Sequence, residues 1–276
     1  MYKSLLKSAL AGIGAAVLLT GCTLSEPDNS ENGESAQNLR LKEVVGPMNI
    51  TMVRIDYDLQ GRVKTVETVG SEVVEISYTS AGTPDRILFT SYGERYGSDD
   101  TFERYIEETL EWTNIKCNAA GYIVSTDSRE TAYEYNGTVI TEENFIETMK
   151  YDNEGHLTET ATSDGEKTVL VWENGVLTHI YDDDNSGYTN DIYYEYSQAA
   201  NPMRQWDPLN MNFAGLSVTG LMGVGPDRFI KSVTEDGYMR AVSYYLMDNG
   251  LINRMRVFDE GYESGYRFVY ENTNGK

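Results

Sequence analysis

Residues 242–250 (VSYYLMDNG) decide the fold class of this chain. Apolar side chains stand at every second position up to Leu246, and side chains two residues apart lie on the same face of a β-strand. Asn249-Gly250 follows almost at once, and an Asn-Gly pair is the strongest short signal for a β-hairpin turn. The stretch therefore predicts a strand with one buried face that turns back into an antiparallel neighbour.

The same combination recurs along the chain. Alternating runs occupy residues 74–78, 192–196 and 266–270, and turn pairs separate such runs. The pairs are Asn136-Gly137, Asn174-Gly175, Asp164-Gly165 and Asp236-Gly237, with weaker versions at Gln60-Gly61, Glu154-Gly155 and Glu260-Gly261. Period-two runs between tight turns predict an all-β domain built as an antiparallel meander.

Two segments depart from this pattern. Residues 99–112 fit a helical stripe better than a strand, because Glu108 interrupts the strand face that Ile106 and Leu110 would share. Near residues 203–224 we expect one short helical or irregular segment, since Asp207-Pro208 resembles a helix start and three glycines follow. This apolar segment either packs as core or forms a lid over a ligand. Its candidate ligand-binding residues are Trp206, Phe213, Leu216, Leu221 and Met222.

The N-terminus has the features of an export signal. Lys3 and Lys7 precede an apolar run over residues 9–19, which is shorter than the roughly 20 residues that span a bilayer. The sequence Leu19-Thr20-Gly21-Cys22 resembles the lipobox of bacterial lipoproteins. That resemblance implies that residues 1–21 are removed and that Cys22 carries the lipid anchor. Cys117 is then left without a cysteine partner.

Three regions follow from this reading. Residues 1–21 are a signal peptide, residues 22–40 are a lipidated cysteine with a disordered acidic tether, and residues 41–276 are a single β domain. Ser25, Glu26 and Asp28 loosely resemble a signal for the outer face of the outer membrane, although a plain acidic linker looks the same. We therefore expect an outer-membrane lipoprotein of a Gram-negative bacterium, with the periplasmic and cell-surface faces left open.

Composition limits the partners. The full chain has a formal charge of −22, and removal of the signal takes away two lysines and no acid, which gives −24. This charge argues against nucleic acid and against docking on anionic lipid. The expected contacts are the membrane through Cys22 and a glycan, peptide or protein partner. We expect the domain itself to be monomeric.

Few motifs in the sequence indicate a metal site or a cofactor. With two histidines, the chain cannot build a paired zinc motif. Asp182, Asp184 and Ser186, followed by a glycine, match the first half of a calcium loop. Tyr193 stands where the bidentate glutamate belongs, and a solvated acidic hairpin tip explains the same residues. No cofactor is expected unless calcium binds there.

A short repeat connects the chain to a known family. Residues 57–63 (YDLQGRV) and 151–157 (YDNEGHL) share a tyrosine-aspartate pair, two variable residues, a glycine, a polar residue and an aliphatic residue. Residues 118–123 (NAAGYI) are a degenerate copy. The repeats resemble those of Rhs-type proteins. With the lipobox and the connection that begins at Asn201-Pro202, the chain is similar to a lipoprotein family of unknown function from Bacteroidetes-type bacteria, described as having a porin-like fold.

The resemblance implies one strongly curved antiparallel sheet, a half-barrel or porin-like sheet, and it favours a strand over residues 99–112. It does not imply a membrane pore, because the alternating positions carry charged residues where lipid-facing strands need an apolar band. The leading hypothesis is a non-catalytic binding module anchored to the outer membrane. The alternatives are a carrier that holds a hydrophobic molecule on the concave sheet face and, third, a carboxylate-based hydrolase.

Overall fold

A computed structural model describes residues 39–96, 102–183, 191–201, 204, 216–235 and 237–273. Consecutive β-strands account for most of them. The strands are β1 (Leu39–Val45), β2 (Thr51–Tyr57), β3 (Val63–Thr68), β4 (Glu72–Tyr78), β5 (Pro84–Tyr96), β6 (Phe102–Cys117), β7 (Ile123–Tyr133), β8 (Val139–Tyr151), β9 (Leu157–Thr162), β10 (Lys167–Glu173), β11 (Val176–Asp182), β12 (Ile192–Ala200), β13 (Arg228–Glu235), β14 (Tyr238–Leu246), β15 (Ile252–Asp259) and β16 (Tyr262–Asn272).

Within these residues the helical elements are two 3-10 turns, Pro47–Asn49 and Leu216–Val218. No helix in this part of the chain is long and apolar enough to cross a membrane. The strand over Phe102–Cys117 confirms the strand interpretation of residues 99–112, as far as that segment is described. Residues 203 and 205–215 of the expected irregular segment lie outside the described residues.

The sheet closes on itself. Each strand pairs antiparallel with its neighbours in sequence, and β1 also pairs with β16, from Leu39 opposite Asn272 to Val45 opposite Arg267. The prediction of an open meander or half-barrel is therefore wrong, and the fold is a closed sixteen-stranded antiparallel barrel. Closure pairs the backbone groups that two free edges would expose, which removes an aggregation hazard.

The two faces of the wall differ in polarity. Inward side chains are apolar over much of the barrel, and the most buried of them are no more than 2 % exposed. These include Val44, Ile55, Ile87, Phe89, Ile123, Leu157, Leu177, Ile192 and Met255. The outer face carries ion pairs between neighbouring strands, such as Arg54 with Glu67 at 3.1 Å and Lys150 with Glu159 at 2.7 Å. Barrels of sixteen strands in porins surround water, whereas the inward side chains named here are buried.

The barrel has two distinct ends. The terminal end carries the start of β1 at Leu39, the end of β16 and the turns at residues 58–62, 79–83, 118–122, 152–156 and 247–251. The far end carries the opposite turns, such as those at residues 69–71 and 134–138. Strands β5 to β8 are long and extend furthest at the far end.

Candidate functional site

The residues that the sequence singled out fall mostly outside the described part of the chain. Cys22, Asp184, Ser186, Trp206 and Phe213 belong to that group, so their predicted roles stay predictions. Asp182 is described, and its Oδ1 accepts a hydrogen bond from the Thr168 hydroxyl at 2.9 Å. Among the described residues, no group of three or more histidine, cysteine or acidic side chains is placed to hold a metal ion.

The described part of the β12–β13 connection lies across the terminal end. The Leu221 carbonyl accepts from the Ile123 N–H at 2.9 Å, and the Val224 N–H donates to the Gly155 carbonyl at 2.9 Å. Leu216 and Met222 are 1 % and 2 % exposed and belong to the hydrophobic core, with Leu221 packed against it. These candidate ligand-binding residues therefore sit where core residues sit, and a ligand has little of their surface to contact.

Aromatic side chains also close the terminal end. The Tyr151 hydroxyl donates to the Ile123 carbonyl at 2.7 Å, and the Tyr78 hydroxyl donates to the Val63 carbonyl at 2.8 Å. The Trp172 indole N–H donates to the Leu157 carbonyl at 2.8 Å. Each bond ties the end of one strand to the start of the preceding strand. Burial raises the pKa of Tyr78 to about 12, as expected for a hydroxyl that serves a structural role.

Basic and aromatic groups cover these rings in turn. The Arg62 guanidinium lies 4.2 Å from the centre of the Tyr78 ring, and the His156 ring stacks on Trp172 at 4.1 Å. Arg40 covers Tyr57 in the same way at 3.8 Å. Arg62 and His156 both follow the glycine of the tyrosine-aspartate repeat. The repeat therefore has a packing role at the terminal end, and the candidate functional surface lies elsewhere.

The inner wall towards the far end is acidic. Glu72 on β4, Glu108 on β6, Glu130 on β7 and Glu147 on β8 all occupy inward positions, because they share a face with core residues of their own strands or of paired strands. We call these four residues the acidic wall. The strand register places Ser91 between Glu72 and Glu108, so these three positions form a polar row across β4, β5 and β6.

Glu147 is the most buried member of the acidic wall, at 2 % exposure. Its Oε1 accepts hydrogen bonds from the Trp112 indole N–H at 3.1 Å and from the Ser128 hydroxyl at 3.2 Å. Its Oε2 is buried and has no hydrogen-bond partner within the described part of the chain. Burial raises the pKa of Glu147 to about 7. The two hydrogen bonds lower this pKa, whereas the negative charges of Glu130 and Glu166 raise it further.

Glu108 and Glu130 form a second feature of the acidic wall. Burial, a hydrogen bond with Glu130 and the charges of Glu130 and Glu107 together raise the pKa of Glu108 to about 8. Two neighbouring carboxyl groups that cannot both ionise share a proton. Burial also raises the pKa of Glu72 to about 7. At neutral pH the carboxyl groups of this wall are therefore partly protonated.

A signal for this site is present in the sequence. Glu108 interrupts an otherwise apolar strand face, and periodicity alone therefore favours a helix over this stretch. Glu147 likewise precedes the inward residues Met149 and Tyr151. An acidic residue in phase with the buried positions of a strand indicates a buried carboxyl group, and perturbed carboxyl groups concentrate at functional sites.

Comparison with solved structures gives distant likenesses. A porin-like protein from Bacteroides uniformis aligns with a TM-score of 0.48 at 16% identity, over 84% of this chain and 96% of that chain. A porin-like protein from Bacteroides vulgatus aligns with a TM-score of 0.40 at 12% identity, over 84% and 99% of the two chains. No protein-family model and no curated protein matches the sequence. Since both TM-scores are below 0.5, the barrel assignment rests on the strand pairing. Sixteen strands in a closed sheet agree with the porin-like fold that the family resemblance implied.

Proposed function

We propose that this protein is a membrane-tethered, non-catalytic binding module, whose ligand contacts the acidic wall from the far end. The observation that carries the proposal is Glu147, a buried carboxyl group with one oxygen that receives no hydrogen bond from the residues that the structure describes. Most buried polar atoms in proteins are paired, so an exception invites a functional explanation. Exposure increases from Glu147 through the half-buried Glu108 and Glu130 to the exposed Glu143, so the wall becomes accessible towards the far end.

The outer face supports attachment by a tether rather than insertion. Glu111 lies between Arg86 and Arg129 and pairs with both across three strands. Arg256 pairs with Glu263 at 3.2 Å on the β15–β16 wall. Arginine and lysine side chains on the lipid face of a membrane barrel cost roughly 2–4 kcal/mol each near the bilayer centre, and acidic side chains cost less. This barrel therefore suits water on its outside, and the predicted lipid on Cys22 would supply the membrane attachment.

The position of β1 supports an orientation. Because Leu39 lies at the terminal end, a tether over residues 22–38 would hold that end near the membrane. A flexible chain of that length spans roughly 20–25 Å on average. The far end and the acidic wall would then point away from the membrane, towards the partner.

The two alternatives receive less support. A hydrophobic carrier needs unoccupied apolar surface, whereas the inward apolar residues of the described chain are already buried against each other. A glycoside hydrolase needs carboxyl groups roughly 5–10 Å apart with the sugar between them. Glu108 and Glu130 instead hydrogen-bond directly, which leaves no room for a substrate between the pair.

The test is a binding screen of the lipidated protein in detergent on glycan and peptide arrays. We expect at least one ligand whose binding weakens tenfold or more in Glu147→Gln. Glu67→Gln, on the outer wall, is the matched control and should leave binding unchanged. If neither array gives a ligand, or if the two variants behave alike, the proposal is wrong.

A further inference from the structure

Two arginines face each other on the outer wall of the barrel. The register of β15 and β16 places Arg254 directly opposite Arg267. Both project outward, because their neighbours Met255 and Phe268 are buried in the core and successive side chains of a strand point to opposite faces. Directly opposed side chains have Cβ atoms about 4.5–5.5 Å apart, and like charges there destabilise the pairing. The stability of the sheet therefore does not explain this pair.

The pair is an exception to the arrangement of charges elsewhere on the outer wall. Directly opposed pairs of a basic residue and a glutamate include Arg40 with Glu271, Arg54 with Glu67, Arg129 with Glu111 and Lys150 with Glu159. In the described strand registers, no other two basic residues face each other. The chain has 44 acidic residues against 22 basic ones, so a shortage of acids does not account for the exception.

The row that contains the two arginines has no acidic member. It runs across four strands, from Tyr245 on β14 through Arg254 and Arg267 to Val45 on β1. Arg267 is exposed, and no acidic side chain of the described residues forms an ion pair with it. The row is therefore locally positive on a protein that is negative as a whole.

The surroundings of the row leave it accessible. Arg256, the next outward residue of β15, is engaged by Glu263 at 3.2 Å, and its guanidinium lies 5.1 Å from the centre of the Tyr245 ring. Opposite Arg256 stands Gly265, which presents no side chain beside Arg267. Tyr245 is 49 % exposed. A ligand can therefore approach the row from solvent and find the Tyr245 hydroxyl as a further donor.

The donors of the row select the chemistry of the ligand. One guanidinium can satisfy a carboxylate through two parallel hydrogen bonds, so a carboxylate ligand needs a single arginine. A phosphate monoester carries a charge of about −1.5 to −2 near pH 7 and has three strong acceptor oxygens. Two opposed guanidinium groups match both this charge and this number of acceptors.

We propose that Arg254 and Arg267 bind a phosphate monoester group on the outer wall of the barrel. The inference goes beyond the proposed function, because the site lies on the opposite face of the wall from the acidic residues. The phosphate group belongs either to a soluble ester or to a lipid headgroup. A headgroup is within reach, since β16 pairs with β1, the strand that follows the predicted tether.

Binding should strengthen as the pH rises from 5 to 7.5. The second pKa of a phosphate monoester is about 6, so the ligand gains its second negative charge over this range. Arginine side chains stay charged throughout. The change therefore comes from the ligand, and an affinity that is equal at the two pH values would contradict the proposal.

The experiment is titration calorimetry of the lipidated protein in a neutral detergent, with glycerol 3-phosphate as the soluble probe and dihexanoyl phosphatidic acid as the lipid probe. We expect saturable binding of one or both probes at pH 7.5, and a tenfold or greater loss of affinity in Arg267→Gln and in Arg254→Gln. Arg54→Gln removes another outer-wall arginine and should leave the affinity unchanged. Thermal unfolding checks that the variants fold, and Arg267→Gln suffices if Arg254→Gln does not fold.

Binding of both probes would identify the phosphate group itself as the ligand, and binding of the lipid probe alone would identify a headgroup. The inference is wrong if neither probe binds, or if Arg267→Gln and Arg54→Gln bind equally well. The net charge of −22 repels anions, so general attraction cannot imitate the expected result. Glu147→Gln should bind both probes as the parent does, which separates this test from that of the acidic wall.

Discussion

The buried carboxyl group of Glu147 lowers the stability of the fold when it is ionised, and it belongs to the candidate binding site. A buried carboxyl group is tolerated when it keeps its proton or receives enough hydrogen bonds. Trp112 and Ser128 provide two such bonds to one oxygen. The pKa of Glu147 is about 7 in the folded barrel, compared with an ordinary value of 4.5. The folded state therefore binds the proton more tightly than the unfolded state.

This difference predicts a pH-dependent effect of Glu147→Gln. Between pH 4.5 and 7 the folded protein holds a proton that the unfolded chain has lost, so the free energy of unfolding falls as the pH rises. Gln cannot ionise and avoids this loss. At pH 8 we expect the variant to be more stable than the parent by about 2–3 kcal/mol, and at pH 4 to be equal to it. Urea unfolding at both pH values measures the difference.

Glu67→Gln is the control for this prediction, because Glu67 lies on the outer wall in an exposed ion pair with Arg54. Surface ion pairs contribute roughly 0–1 kcal/mol, so this variant should change little at either pH. An identical gain in both variants would mean that the overall negative charge, rather than the buried carboxyl group, is responsible.

Tyr151 predicts a separate effect at the terminal end. Its hydroxyl donates to the Ile123 carbonyl at 2.7 Å, and burial raises the pKa of this hydroxyl. Tyr151→Phe removes the donor and leaves a buried carbonyl without it. We expect a loss of about 1 kcal/mol in the free energy of unfolding. Tyr262→Phe, at an exposed position, should be neutral, and chemical denaturation compares the two.

At the scale of the element, the tyrosine-aspartate repeat is a turn with its own hydrogen bonds. The Asp152 Oδ1 accepts from the Glu154 N–H at 2.8 Å and from the His156 N–H at 2.9 Å. Asn118 makes the equivalent bonds to Ala120 and Tyr122 through its amide oxygen. An amide oxygen accepts as a carboxylate oxygen does, so the degenerate copy forms the same turn.

The connection across the terminal end yields a prediction for two glycines. Gly223 has a φ of +89°, and a Cβ there would lie 2.5 Å from the Gly155 carbonyl oxygen. Gly220 in the same connection has a φ of +73° with open space around it. Gly220→Ala should cost about 1 kcal/mol of stability from its backbone conformation alone. Gly223→Ala should cost about 3 kcal/mol or more, since the connection must also move.

Thermal and urea unfolding of both glycine variants test this difference. Equal losses would show that the contact between the connection and the β8–β9 turn does not contribute to stability. The comparison is matched, because both glycines have positive φ and lie within four residues of each other.

Much of the element structure was predictable from the sequence. Each described turn pair lies between consecutive strands, as predicted. Of the three Asn-Gly pairs, only Asn174-Gly175 has a positive φ at both residues, which is the conformation expected for a type I′ turn. Residues 99–112 were harder, because periodicity treats an inward glutamate as a break in a strand. Local patterns report which side chains are apolar, and they cannot show that a protonated carboxyl group is buried among them.

At the scale of the whole molecule, closure was beyond the reach of sequence patterns. Hairpin signals specify pairing between neighbours in sequence, whereas β1 and β16 are far apart along the chain. Their contact includes an ion pair between Arg40 and Glu271 at 2.6 Å, 231 residues apart. No local motif encodes such a pair, so an open half-barrel and a closed barrel share the same hairpins. For the same reason the acidic wall could not be assembled from the sequence.

The predicted lipid anchor can be tested on the whole molecule. If Cys22 carries lipid, Cys22→Ser should abolish incorporation of labelled palmitate and release the protein from the membrane fraction. Cys117→Ser is the control and should keep both the label and the membrane association. Label that persists in Cys22→Ser would contradict the lipobox interpretation.

Closure of the barrel also has a consequence for the order of folding if the chain is exported, as its N-terminal sequence predicts. A chain that is threaded through a membrane from its N-terminus delivers β1 first and β16 last. Until the final strand arrives, β1 has paired on one side only and the growing sheet has two unprotected edges. Completion of the barrel therefore waits for the last few dozen residues. We expect a shortened chain that lacks β16 to be bound by chaperones or degraded by proteases, even if its first fifteen strands are intact.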